Sequence, residues 1–273
     1  MSGPLVSVGV PVYNGASMLA ESLAGLSAQS HAHLEILISD NRSTDETPRI
    51  IADYLTGEPR ASAVRQPENL GALGNFRFLL GQARAPYFLW RSYDDLFDDA
   101  YIARLLGALE ALPNAALAAP HVETLRIATG KRRPRQVAGL QGRGPREVLR
   151  RSQAGWIYGL WRTEDLRRAF DWAVDAIHPH VWGWDHLALF PAILAGRVAF
   201  ENDARLTLRL NNAIPKEKTP DAKARAIDLA TRYRDACFAE IDTQGLRGFQ
   251  RWNMRRAVSQ HIHKRVSSRW KRL

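Results

Sequence analysis

The residues of this chain best suited to chemistry are Asp94 and Asp95. They follow an apolar run, Tyr87-Phe88-Leu89-Trp90, that reads as a buried strand, and the stretch Arg91-Ser92-Tyr93-Asp94-Asp95-Leu96 leaves its C-terminal end. Open α/β sheets carry ligands at that end of their strands. Side chains alternate along extended chain, so the two carboxylates point different ways and cannot both be core. Carboxylate oxygens suit a hard divalent cation, Mg²⁺ or Mn²⁺, which keeps positions open for phosphate. The chemistry suggested is metal plus diphosphate. The competing reading is an Asp-Asp turn, or the cap of a following helix near Asp98 and Asp99.

Composition narrows the partners. The 273 residues hold one large α/β domain or two small ones. A single cysteine, Cys237, excludes an internal disulfide and fits a reducing compartment. No basic-then-apolar leader pattern opens the chain, and the longest apolar candidate, Leu187 to Ala195, is broken by Pro191 and too short for a membrane span. Nine of the 38 Lys and Arg lie between Arg247 and Leu273, which holds no acid, so the other 29 face 28 Asp and Glu. A nearly neutral body argues against nucleic acid as a partner, and the basic tail argues for a local anionic one.

The elements that must position the acidic pair alternate. Leu5 to Asn14 reads as a strand ending in a polar loop, followed by a helix capped by Ser17. Leu34 to Ser39 is a second strand, ending in the polar loop Asp40 to Thr47 and a helix around Pro48. Ala61 to Arg65 is a third strand and Gly71 to Ala83 a helix, before the strand that ends at Trp90. This alternation predicts right-handed βαβ units and a mainly parallel sheet. Further on, a helix is expected from about Asp99 to Leu112 and a strand within Ala115 to Leu125. A basic, Gly/Pro-punctuated loop spans Lys131 to Arg151. Trp156 to Arg162 reads as a strand, Thr163 to about Trp172 as a helix, and Arg197 to Phe200 and Leu206 to Leu210 as two short strands.

The last segments are helical in period. Met254, Val258, Ile262, Val266 and Trp270 recur every fourth residue, with Arg247, Arg251 and Arg255 on another face. That is the composition of an interfacial membrane helix. The alternative is a helix that packs its apolar stripe on the domain and leaves its charges in water.

The loops Pro11-Val12-Tyr13-Asn14, Asp40-Asn41-Arg42-Ser43-Thr44-Asp45 and Ser92-Tyr93-Asp94-Asp95 stand at the ends of consecutive strands. With Asn69, Gly71 and Asn75 at a helix start, and with Tyr158-Gly159-Leu160-Trp161-Arg162 and Gly183-Trp184-Asp185-His186 beyond, they resemble the family 2 glycosyltransferases of the GT-A fold, in order and over roughly residues 5 to 211. The resemblance implies a Rossmann-like α/β domain over 1–212, with a nucleotide-sugar half to about 115 and an acceptor half from about 116. Helices with a basic amphipathic tail follow over 213–273. It implies inverting transfer from a nucleoside-diphosphate sugar to a saccharide acceptor, lipid-linked where the tail meets an anionic membrane surface. The expected setting is cell-envelope polysaccharide synthesis, in the cytoplasm at the inner face of the membrane. Asp40 resembles the aspartate that accepts the nucleobase N–H. Pro11, Val12, Tyr13, Asn14, Arg42, Gly71, Asn75, Ser92, Tyr93 and Asp94 complete the nucleotide site. Gly71 is expected to let the chain approach the base. Asp94, with Asp95, is expected to hold Mn²⁺ or Mg²⁺, although Ser92 stands where the family's first Asp would be. Asp185 falls at the position of the general base. Trp156, Tyr158, Trp182, Trp184 and His180 would line the acceptor.

Two other readings compete. A sugar-phosphate nucleotidyltransferase would carry a Gly-rich, Arg-bearing loop after the first strand, which Asn14-Gly15-Ala16-Ser17 does not supply. A catalytically idle nucleotide-sugar-binding or membrane-adaptor protein is the reading that Ser92 would favour. Gly71-Ala72-Leu73-Gly74 lacks the Gly-x-Gly-x-x-Gly spacing of a dinucleotide site.

Overall fold

The computed structural model describes residues 3–135, 137–210 and 221–264. In chain order the elements are β1 (Val6–Val12), α1 (Leu19–Ser27), β2 (Leu34–Asp40), α2 (Thr47–Gly57), β3 (Ala61–Arg65), α3 (Gly71–Gln82), β4 (Tyr87–Trp90) and β5 (Leu96–Phe97). Then come α4 (Tyr101–Ala111), β6 (Leu117–Arg126), β7 (Arg132–Arg135), α5 (Pro145–Arg151), β8 (Leu160–Arg162) and α6 (Thr163–Ile177). The short helices α7 (Trp184–Leu187) and α8 (Phe190–Leu194), the strand β9 (Val198–Leu210), and the helices α9 (Ala222–Thr243) and α10 (Gly248–Ile262) follow.

Among the described residues one sheet of nine strands runs in the order β3-β2-β1-β4-β8-β6-β9-β5, with β7 paired to β6. The first four strands are parallel, as the alternating pattern predicts, with Val12 opposite Asp40 and Gly9 opposite Trp90. β1 and β4 are buried along their whole length, which suits central parallel strands covered on both faces. Beyond β4 the sheet is mixed: β8 runs antiparallel to β4 and β6, while β6 and β9 are parallel. The three site loops of the parallel half therefore open at one edge, and the mixed half closes against it.

Several local expectations change. Met18, not Ser17, precedes α1, and no side chain caps it. The strand expected over Trp156 to Arg162 splits into a 3-10 turn, Ala154–Tyr158, and the three residues of β8. The two short strands expected near the end are one, β9, carried past an irregularity where Pro120 pairs with Glu201 and His121 with Arg205. The basic loop contains ordered elements, because β7 pairs back on β6 and Pro145 starts α5. The expected boundary near 212 lies outside the described residues.

The C-terminal stripe is the largest correction. Met254, Val258 and Ile262 are buried and join the common core with Tyr233, Cys237 and Ile241 of α9. Arg251 and Arg255 find an acid outside their own helix, Asp242, at 2.7 Å each. This apolar stripe is thus a packing surface in the fold; Val266 and Trp270 lie outside the described residues. Among the described residues no helix is long and apolar enough to cross a membrane.

Candidate active site

Side chains near the ends of β1 and β2 stitch the first two loops together. Val12 accepts the Asn41 N–H at 2.9 Å, Asn14 N–H donates to Ser43 Oγ at 2.9 Å, and Thr44 N–H donates to Asn14 Oδ1 at 2.8 Å. Pro11 and Val12 are buried, whereas the Tyr13 ring is 44% exposed at the rim. Asn14 and Arg42 hold left-handed φ angles of 50° and 64°, a strained conformation for non-glycine residues that their hydrogen bonds sustain. Arg42 reaches across to the Pro67 carbonyl. The third loop closes on the first: a Cβ on Gly15 would lie 2.7 Å from Tyr93 Cδ2, so only glycine admits that ring.

Asp40 is the buried acceptor at the end of β2. Its Oδ1 takes the Ser43 N–H at 2.9 Å, while Oδ2 lies 3.5 Å from Arg65 Nε and makes no hydrogen bond. A buried carboxylate oxygen without a donor is costly unless a ligand supplies one. Gly71 has φ 70°, a left-handed turn that favours glycine, and no protein atom lies within 4 Å of a Cβ built on it. Asn75 is buried, and both ends of its amide engage Ser39, with Nδ2 donating to the Ser39 carbonyl at 3.0 Å. It braces β2 against α3 from beneath and is not open to a nucleotide. Asn41 and Asn69 tie the neighbouring loops together, with Asn69 Oδ1 accepting from both Asn41 Nδ2 and the Gly71 N–H at 2.8 Å each.

Asp94 and Asp95 separate in role. Asp94 is half-buried and accepts the Ser92 hydroxyl. Asp95 is buried, and its Oδ1 takes the Arg209 N–H at 2.8 Å. Burial, then the Asp94 charge, pushes the Asp95 carboxyl up to about 7. Arg209 also donates to the Asp94 carbonyl and pairs with Glu21, leaving its Nη2 buried without a hydrogen bond. Arg91 lies fully buried against Ser22 and the Phe97 ring, and burial lowers its guanidinium to about 10. Sequence reasoning missed Arg209. Its signal was the alternation of Arg205, Thr207 and Arg209 with Leu206, Leu208 and Leu210, which sets the three on one face of a strand.

Among the described residues no three His, Cys, Asp or Glu side chains gather as a metal cluster. Cations of the Mg²⁺ type are commonly held by one or two carboxylates, with phosphate and water completing the shell. Asp94 with the Ser92 hydroxyl fits such a shared shell. Asp95 does not, because it is turned to the Arg209 backbone and the charges of Arg91 and Arg209.

The mixed half brings in Tyr158 and Asp185. Gly183, at φ 94°, turns the chain into α7, which puts Trp184 into the core and leaves Asp185 half-buried, its Oδ1 accepting the His186 N–H at 2.8 Å. Burial, then Asp95, Asp185 and Asp94 in that order, raises the Tyr158 hydroxyl, which also meets Ser92. All three carboxylates thus bear electrostatically on one phenol. Trp156 and Trp184 are not open to a sugar: Trp156 is fully buried against Phe200, and Trp184 packs edge-on with Phe76, Trp90 and Phe170. Trp182 is 67% exposed. His180 is held by Asp228 of α9 at 2.8 Å.

Fold and site together define a glycosyltransferase of the GT-A class. The chain belongs to glycosyl transferase family 2, whose model matches residues 7–177. An uncharacterized glycosyltransferase of Rickettsia typhi is 31% identical over 111 residues, 41% of this chain and 34% of that protein. An uncharacterized protein of Sinorhizobium fredii is 32% identical over 118 residues, 42% of this chain and 13% of that protein. The chain thus spans about a third or less of the length of these curated relatives. In fold, S. aureus TarS 1–349 in complex with UDP-GlcNAc matches 96% of this chain and 72% of its own, with TM-score 0.71 at 15% identity. The mannosyltransferase PcManGT from Pyrobaculum calidifontis, in complex with GDP-Man and Mn²⁺, matches 96% and 71% with TM-score 0.61 at 20% identity.

Proposed function

We propose that this chain is an inverting glycosyltransferase that moves one sugar from a nucleoside-diphosphate sugar to a saccharide acceptor. The observation that carries the reading is the buried Asp40 Oδ2, which has no hydrogen-bond donor and stands at the same sheet edge as Asp94 and Ser92. A diphosphate would then lie at Asp94 and the acceptor hydroxyl at Asp185.

The unfilled Asp40 Oδ2 accepts the ring N–H of the base, the backbone of Pro11 to Asn14 reads its edge, and Tyr13, Arg42, Gly71 and Tyr93 border it. Asn75 acts from below by fixing Ser39. Asp94 and Ser92 would hold Mn²⁺ or Mg²⁺ together with the diphosphate, and such a cation neutralises charge on the leaving group. Asp185 takes the acceptor proton as that oxygen bonds to the anomeric carbon, from the face opposite the diphosphate, while the bond to the diphosphate breaks. Trp182 offers the exposed ring on which an acceptor sugar stacks. A lipid-linked acceptor in cell-envelope polysaccharide assembly, met at the cytoplasmic face of an anionic membrane, accords with the basic C-terminal region.

Calorimetric titration of UDP, GDP and dTDP, each with and without Mn²⁺, on the wild type and Asp94→Ala tests the donor site. One nucleotide should bind, and should bind more weakly without metal or without Asp94. Failure of all three to bind would sink the reading.

A further inference from the structure

The outward face of α10 carries a feature that sugar transfer does not use. Met254, Ala257, Val258, His261 and Ile262 turn inward and are buried. On the opposite side Phe249 is 74% and Trp252 52% exposed, and their rings stack at 5.7 Å. The Arg256 guanidinium lies 5.4 Å from the centre of the Trp252 ring. These three residues, spaced i, i+3 and i+7, share one helix face. Arg247 stands at the N-cap, where the helix dipole disfavours a cation, and α10 holds no Asp or Glu. Neither Arg247 nor Arg256 makes an ion pair among the described residues, and Asp242 is one acid shared by both Arg251 and Arg255.

We propose that this face is a membrane-docking surface, on which Phe249 and Trp252 enter the headgroup boundary of an anionic bilayer and Arg256 meets lipid phosphates, with the exposed Arg247 two residues before Phe249 adding positive charge. Aromatic rings are favoured at that boundary, and clustered arginines are attracted to anionic lipid. The excess of arginine argues against a second copy as occupant, since a symmetric contact would bring Arg256 of each copy together with no acid on α10 to separate them. The proposal rests on the membrane-surface part of the reading above, but assigns it to the outer aromatic face of α10 rather than the Met254-Val258-Ile262 stripe.

The test is co-sedimentation of the full chain with vesicles of phosphatidylcholine containing about 30% phosphatidylglycerol. Wild type should bind these, fail to bind pure phosphatidylcholine, and release as salt rises. The double variant Phe249→Ser/Trp252→Ser should bind about tenfold more weakly or less, and Arg247→Gln/Arg256→Gln should weaken binding and flatten its salt dependence. Binding by the aromatic variant equal to wild type would overturn the proposal, as would equal wild-type binding to neutral vesicles. Self-association in analytical ultracentrifugation that the aromatic variant abolishes would also overturn it, in favour of a copy-to-copy contact. Nucleotide titration in the same variants should match wild type. Loss of vesicle binding with nucleotide binding intact then separates the docking face from the transferase reading.

Discussion

Arg209 donates its backbone N–H to Asp95 Oδ1 at 2.8 Å, joining the last strand to the acidic loop across 114 residues of chain. The contact extends the pairing of β5 with β9, and Asp98 does the same on the other side of β5 by accepting the Arg205 N–H at 2.6 Å. Asp95 is therefore an anchor that fixes where Asp94 stands.

That anchoring has a pH signature. Burial moves the Asp95 carboxyl from the usual carboxylate range up to about 7, so the folded chain holds a proton that the unfolded chain releases from about pH 4 upward. The stability it contributes is complete below about pH 4 and is lost as pH rises through 7. Asp95→Asn, which can keep an acceptor for Arg209, should lack this decline. Urea unfolding of both proteins in EDTA between about pH 4 and 8 checks it, and parallel curves would remove Asp95 as the source.

Asp185→Asn should leave nucleotide binding unchanged and lower transfer about 100- to 10,000-fold, the usual worth of a general base. Single-turnover transfer beside nucleotide titration reads both. Retained transfer would take the base role away from Asp185.

Asp40→Asn should weaken binding of the cognate nucleotide about 10- to 100-fold, since Oδ2, which has no hydrogen bond, is replaced in part by a donor facing a donor. Calorimetry checks it. A loss of less than about twofold would mean that Asp40 serves only the Ser43 turn.

The tryptophans should divide by burial. Trp156→Ala empties a fully buried site and should cost about 3–5 kcal/mol. Trp182→Ala should change stability by less than about 0.5 kcal/mol and raise the acceptor KM about tenfold, the equivalent of about 1.4 kcal/mol of stacking. Thermal unfolding and acceptor saturation curves distinguish them.

Much of the donor half was legible in sequence because its signals are local. Buried parallel strands read as continuous apolar runs, as in Tyr87 to Trp90, and the polar loops that follow them must open at the sheet edge. The Asp94-Asp95 loop after β4 was read that way. The acceptor half was less legible. The aromatic stretches around Trp156 and Trp184 have the composition of a sugar platform and of a core equally, and packing against Phe200 and Phe76 settled them as core.

The sequence by itself determined the family, the parallel half of the sheet and which loops carry carboxylates, because hydrophobic period and loop composition act over a few residues. The tertiary structure alone decided that Asp95 belongs to Arg209, that Tyr158 feels the charges of both Asp94 and Asp185, and that α10 turns Phe249 and Trp252 outward. Each of those depends on long-range strand register and helix packing, in which partners far apart in the chain compete for the same surface and local pattern holds no record of the winner.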